Sequence, residues 1–229
     1  MTVGPSIYWY VTRSSGAVAL VLLTASVVVG VASIGRLSGP GLPRFLVDGV
    51  HRTVSLLAVV FLVIHVLTSV ADSFVSISLV NAVIPFTGSY RPLWLGLGAA
   101  AFDLMLAVTL TSLVRRRVGH EAWRAVHWLA YLSWPIAVLH GFGTGSDVHQ
   151  AWLMLTNVAC IAAVLAAVVA RAIIGWPDNA RLRLGALGAA GVFTLGLLIW
   201  LPGGPLGKGW ARRSGTPPAA LGSSRGSRA

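Results

Sequence analysis

Four histidines are placed so that they could do chemistry: His51 and His65 in one apolar stretch, His127 and His140 in another. The intervals are 14 and 13 residues. A helix rises about 1.5 Å per residue, so each pair would span roughly 20 Å along its axis. A bilayer's hydrocarbon core is roughly 30 Å deep, so each pair reaches most of the way across it. Two such helices side by side could hold two iron porphyrins, one near each face, each iron taking one imidazole from each helix. Neutral imidazole is a good ligand for haem iron. Two imidazoles fill both axial positions, an arrangement suited to electron transfer more than to oxygen activation. A partner of this kind also answers the cost of placing polar side chains at membrane depth.

These ligands need membrane-spanning helices, and the composition supplies them. Hydrophobic residues make up 56% of the 229 and charged residues only 10%, and the mean hydropathy is +0.81. Soluble domains carry about a quarter charged residues. The nine Trp suit interfacial aromatic belts. The expected fold class is all-α, an integral membrane bundle of six transmembrane helices at about 17–34, 46–70, 93–114, 123–140, 150–173 and 185–201. The expected organisation is an extracytoplasmic N-terminal segment (1–16), a six-helix domain (17–201) and a flexible basic tail rich in Pro, Gly, Ser and Arg (202–229). The first apolar run is read as a retained helix and not as a cleaved signal peptide.

Charge sets the expected orientation. Arg36, Arg44, Arg52, Arg115, Arg116, Arg117, Arg124, Arg171, Arg181 and Arg183 follow the first, third and fifth helices. Arg13 and Arg91 lie on the other side, together with five Lys/Arg of the tail, which argue the opposite way. The positive-inside rule puts the Arg-rich loops in the cytoplasm and both termini outside, in a multi-pass protein of the plasma membrane. The net charge of +11 is therefore a topology signal and not a nucleic-acid signal. With helices two and four parallel, His51 pairs with His127 near the cytoplasmic face and His65 with His140 near the outer face.

Helical phase favours one pair more than the other. Fourteen residues bring His65 back within about 40° of His51, whereas thirteen leave His140 about 140° from His127 in an ideal helix. Pro135 lies between the latter two and is read as a kink that helps to re-aim them. Haem propionates are anionic and would seek Arg: Arg52 and Arg124 flank the inner pair, and Arg91 or Arg13 could serve the outer one. Equally, these arginines could be topology or snorkelling residues. Asp103, deep in helix three, is read as a hydrogen-bonded structural carboxylate, with proton relay as the alternative. Asp147 and His149 read as a solvated outer loop, with binding of a ferric chelate or a partner as the alternative, and His120 reads as an inner-loop residue beside Glu121. The single Cys160 excludes an intrachain disulfide and multi-cysteine metal sites, and without a CxxCH motif haem would be non-covalent.

The segment TSLVRRRVGHEAWRAVHWLAYLSWPIAVLH (111–140) resembles the ferric reductase-like transmembrane domain. That group includes iron reductases, NADPH oxidases and the haem-binding membrane subunit of the bacterial methionine-sulfoxide reductase system. Matching features are Thr111–Ser112 before the Arg cluster, Trp123, His127, Tyr131 and His140, with His51–Arg52 and His65 from helix two. The resemblance covers about residues 7–175. WYVTRSSG, PFTGSYRPLWLGLG and HGFGTGSD further resemble bacterial, especially actinobacterial, members. It implies two b-type haems on the four histidines and electron flow from a cytoplasmic flavin, flavoprotein or membrane quinol to an extracytoplasmic acceptor. That acceptor would be a ferric chelate, an FMN-binding protein or a reductase; superoxide production at the outer haem is a further option. Family flavocytochromes continue into a domain binding FAD and NADPH. Here a short loop, a sixth helix and the tail follow, and Gly185, Gly188 and Gly191 fall in an apolar helix, where small residues usually serve packing. The expectation is an oxidoreductase haem b subunit, with FMN or FAD on a partner. The competing class is a non-redox membrane transporter or assembly protein with structural histidines.

Overall fold

The computed structural model describes residues 6–34, 43–73, 75, 77–145, 148–174 and 176–218. Asp147, Arg36 and the last eleven residues of the tail (219–229) lie outside the described residues. Among those described, the chain is helical and contains no strand: α1 (Ile7–Ile34), α2 (Arg44–Ala71), α3 (Leu79–Val83), α4 (Pro92–Leu113), α5 (Arg115–Val118), α6 (His120–His127), α7 (Leu129–Thr144), α8 (Ala151–Ile173), α9 (Ala180–Gly203) and α10 (Trp210–Arg213). Five of these (α1, α2, α4, α8 and α9) are long and apolar enough to cross a membrane.

The fourth expected span, 123–140, is not one such helix. It is divided at Trp128 into α6 and the 16-residue α7. The break is a tightened turn, with the Tyr131 N–H donating to the Trp128 carbonyl three residues back. Tightening of this sort advances the helical phase. It falls one residue after His127, whereas Pro135 sits inside α7. The winding of the 13-residue interval thus changes beside His127 as well as passing through Pro135.

α1 is the central helix. It pairs with the neighbouring α2 and touches α7 and α8, while α4 pairs with α7. Leu23, Val27 and Val31 of α1 join Met105, Trp134, Val138, Phe142 and Val164 in the buried core. The indole of Trp134 donates to Thr24 Oγ1 at 2.9 Å, which satisfies its buried N–H and ties α7 to α1. α1 begins at Ile7, so residues 7–16 belong to the helix and not to a separate N-terminal segment.

Arginines terminate helices. Arg183 Nη1 donates to the carbonyls of Arg171, Ala172 and Ile174 at the end of α8. Arg91, 3% exposed, does the same for α7, with Nη1 donating to Gly143 O and Thr144 O at 3.1 and 3.0 Å. A cation at a helix C-terminus satisfies orphan carbonyls and complements the helix dipole. Residues 202–218 are not a free tail. Trp210 donates to Gly143 O, Arg91 Nε donates to Thr216 Oγ1, and the Arg91 N–H donates to Gly215 O. Trp210 also packs with Trp94 and Trp200. A Cβ on Gly185, Gly188 or Gly191 would meet nothing within 4 Å among the described residues. Cys160 is buried in α8.

Candidate functional site

The four histidines come together as two pairs across the bundle. His51 of α2 faces His127 of α6, with ring centroids 6.2 Å apart and planes at 72°. His65 of α2 faces His140 of α7, at 6.3 Å and 83°. A transition-metal ion between two imidazole nitrogens, each at about 2.0–2.1 Å and with ring half-widths of about 1.1 Å, would hold the centroids about 6.3 Å apart. The observed spacing matches that of one intervening atom and is wider than a direct imidazole–imidazole hydrogen bond would hold.

The tautomers point the same way. His51 Nδ1 lies 3.1 Å from Ser26 O, His65 Nδ1 2.8 Å from Thr12 O, and His140 Nδ1 2.8 Å from Trp94 O. A carbonyl can only accept, so each Nδ1 carries the hydrogen and each Nε2 keeps a bare lone pair. In the outer pair both Nε2 atoms are therefore acceptors and cannot bond each other. Nor does either make a hydrogen bond among the described residues. Backbone carbonyls that fix the tautomer in this way are the usual outer support of metal-bound histidine. Among the described residues no cluster of three or more His, Cys, Asp or Glu forms. The arrangement suits a planar tetradentate group that brings its own equatorial ligands, such as a porphyrin, and not a bare ion.

Glycine makes the approach of the rings possible. A Cβ on Gly16 would come within 2.9 Å of His65 Nδ1, one on Gly30 within 3.3 Å of His51, and one on Gly98 would run into the ring of His140. His65 and His140 line a cavity of about 350 Å³, within the range of small-molecule and cofactor pockets. Its walls are largely apolar, with Leu23, Leu62, Phe102 and Met105, and its basic residue is Arg13. Arg13 also lies 3.6 Å over the Trp9 ring.

The arginines divide differently from expectation. Arg91 does not line the cavity; its guanidinium is engaged with α7 and Thr216. Burial pushes its pKa below the ordinary guanidinium value, and the neighbouring Tyr90 opposes that shift. Arg52 and Arg124 are exposed near the inner pair. Trp123, named in the sequence only as a feature of the family resemblance, gains a physical role: its ring stacks on His127 at 4.9 Å, donates to Ser112 Oγ and carries the Arg115 guanidinium at 5.0 Å. Asp103 is half-buried and makes no hydrogen bond or ion pair among the described residues, against the expected structural bond. His149 is exposed, and His120 lies beside Trp123.

With paired imidazoles inside an apolar helical bundle, the molecule has the architecture of a multi-pass membrane protein. Residues 15–138 match the family described as the ferric reductase like transmembrane component, and the chain belongs to that family. The match includes His51, His65 and His127 and stops two residues short of His140. No curated protein and no solved structure gave a significant match.

Proposed function

We propose that this protein carries electrons across a bacterial plasma membrane through two non-covalent b-type haems. His51 and His127 would hold the inner group, and His65 and His140 the outer one. The observation that carries this reading is the pair His65 and His140, whose ring centroids lie 6.3 Å apart while each Nδ1 is spent on a backbone carbonyl and each Nε2 is left with its lone pair. A haem held by these two imidazoles would supply one-electron exchange.

The chain's own residues do the rest. Thr12, Ser26 and Trp94 fix the imidazole tautomers through their carbonyls. Leu23, Leu62, Phe102 and Met105 keep water from the outer site. Arg13 offers a cation to an anionic edge there, and Arg52 and Arg124 could do so at the inner end. Arg91 holds the end of the helix that carries His140. By the positive-inside rule the end bearing Arg115, Arg116 and Arg117 is cytoplasmic and both termini are outside. Electrons would enter at the inner end from a reduced flavin, a flavoprotein or quinol. They would leave to a ferric chelate, an FMN-binding protein or a reductase outside. The protein would thus act as an oxidoreductase subunit, its flavin carried by a partner.

The test uses haem-loaded protein in lipid vesicles with ferricyanide trapped inside and reduced flavin outside. Wild-type protein should reduce the trapped ferricyanide well above protein-free vesicles, and His65→Ala should not. A wild-type rate equal to that of empty vesicles would overturn the reading.

A further inference from the structure

Three of the four histidines share one local device. His65 donates to Thr12 O, and four residues after Thr12 stands Gly16, against the same ring. His51 donates to Ser26 O, and four residues after Ser26 stands Gly30. His140 donates to Trp94 O, and four residues after Trp94 stands Gly98. In a helix the carbonyl of residue i−4 already bonds the N–H of residue i. A glycine at i leaves that carbonyl open from the side, and the imidazole takes its second lone pair. On α1 the two glycines are fourteen residues apart, the same interval as the two histidines they meet on α2.

The fourth position breaks the pattern. α4 runs antiparallel to α6 and α7, so thirteen residues back from His140 to His127 correspond to thirteen forward on α4. From Gly98 and Trp94 that step reaches Thr111 and Ala107. The register holds across the break at Trp128, because Trp123 on α6 still bonds Ser112 on α4. Thr111 has the branched side chain that glycine lacks, and its Oγ1 donates to Ala107 O at 2.7 Å. By this register the carbonyl in line with His127 lies behind a branched side chain where the other three are left open by glycine. In agreement, His127 Nδ1 is buried without a hydrogen-bond partner among the described residues.

Building on the dihaem reading, we propose that Thr111 is the positioning residue that makes the inner haem site electronically unlike the outer one. By denying His127 a backbone acceptor, it leaves that imidazole a weaker electron donor than the other three. A hydrogen bond at Nδ1 raises the basicity of the ligating nitrogen and so favours the oxidised metal. Without it the inner iron is easier to reduce than it would be with His127 hydrogen-bonded.

The experiment is a stepwise redox titration of haem-loaded wild type, Thr111→Gly and Thr111→Val, with haem counted per chain. Thr111→Gly should keep two haems and move one wave to lower potential while the other stays in place. Thr111→Val keeps the bulk and should leave both waves in place. Gly30→Ala presses on His51 and should perturb the same wave, which marks it as the inner one. Two haems with unmoved potentials in Thr111→Gly, or an equal movement in Thr111→Val, would overturn the inference and leave the dihaem reading standing. A wild type without haem would overturn both. Should Thr111→Gly not fold, the wild-type remote-nitrogen quadrupole couplings decide: three hydrogen-bonded Nδ1 nuclei and one unbonded support the proposal, four alike contradict it.

Discussion

The inner and outer histidine pairs have nearly equal ring separations, 6.2 and 6.3 Å, and unequal surroundings. The outer pair is held on both sides by backbone carbonyls, cradled by Gly16 and Gly98, and borders an apolar cavity. The inner pair has one carbonyl, to His51, and an aromatic ring, Trp123, stacked on His127 beneath Arg115. Matched spacing in sequence therefore does not make matched sites. The interval between the histidines fixes how far apart the two pairs sit along the helices. The helix opposite each ring decides how firmly it is held and what electronic character it has.

The comparison breaks most completely when a ligand is removed. His65→Ala or His140→Ala should reduce haem content from two per chain to one, and the remaining group should be the inner one by its titration. Loss of both groups would mean that the pairs are not independent. Next in size is Gly98→Ala, whose added methyl group meets the ring of His140. It should empty most of the outer site while leaving the inner spectrum intact, and haem content per chain reads the difference. Arg91→Gln removes a buried charge that binds two carbonyls at the end of α7. Hydrogen bonds to charged groups contribute about 1.5–3 kcal/mol each, so thermal unfolding should come earlier and outer haem should be released faster than inner. The smallest effect is expected from Gly30→Ala, where the new contact to His51 is 3.3 Å. A few tenths of an ångström of adjustment should keep both haems and shift only the inner potential.

Much of this was legible in the sequence because hydrophobicity and interval are both one-dimensional signals. Apolar runs located α1, α2, α4, α8 and α9, and the intervals of 14 and 13 paired the histidines correctly. What needed the structure was whatever depends on a facing helix. That Gly16 and Gly30 repeat the histidine interval is visible in the chain, yet it has meaning only once α1 is seen antiparallel to α2. Arg91 reads as a propionate partner from its position alone and becomes a helix cap once Gly143 and Thr144 are found beside it. The break at Trp128 has no proline or glycine to announce it. Residues 204–216 look like tail by composition, but a few polar contacts through Arg91 and Trp210 tie them to the end of α7.

The most direct test of the central claim is a reduced-minus-oxidised absorption spectrum of the purified protein, with haem quantified per chain. Two low-spin b-type haems per chain, falling to one in His65→Ala, is the result predicted here. A folded protein that was supplied with haem during expression and carries none would contradict the account and return the four histidines to a structural role.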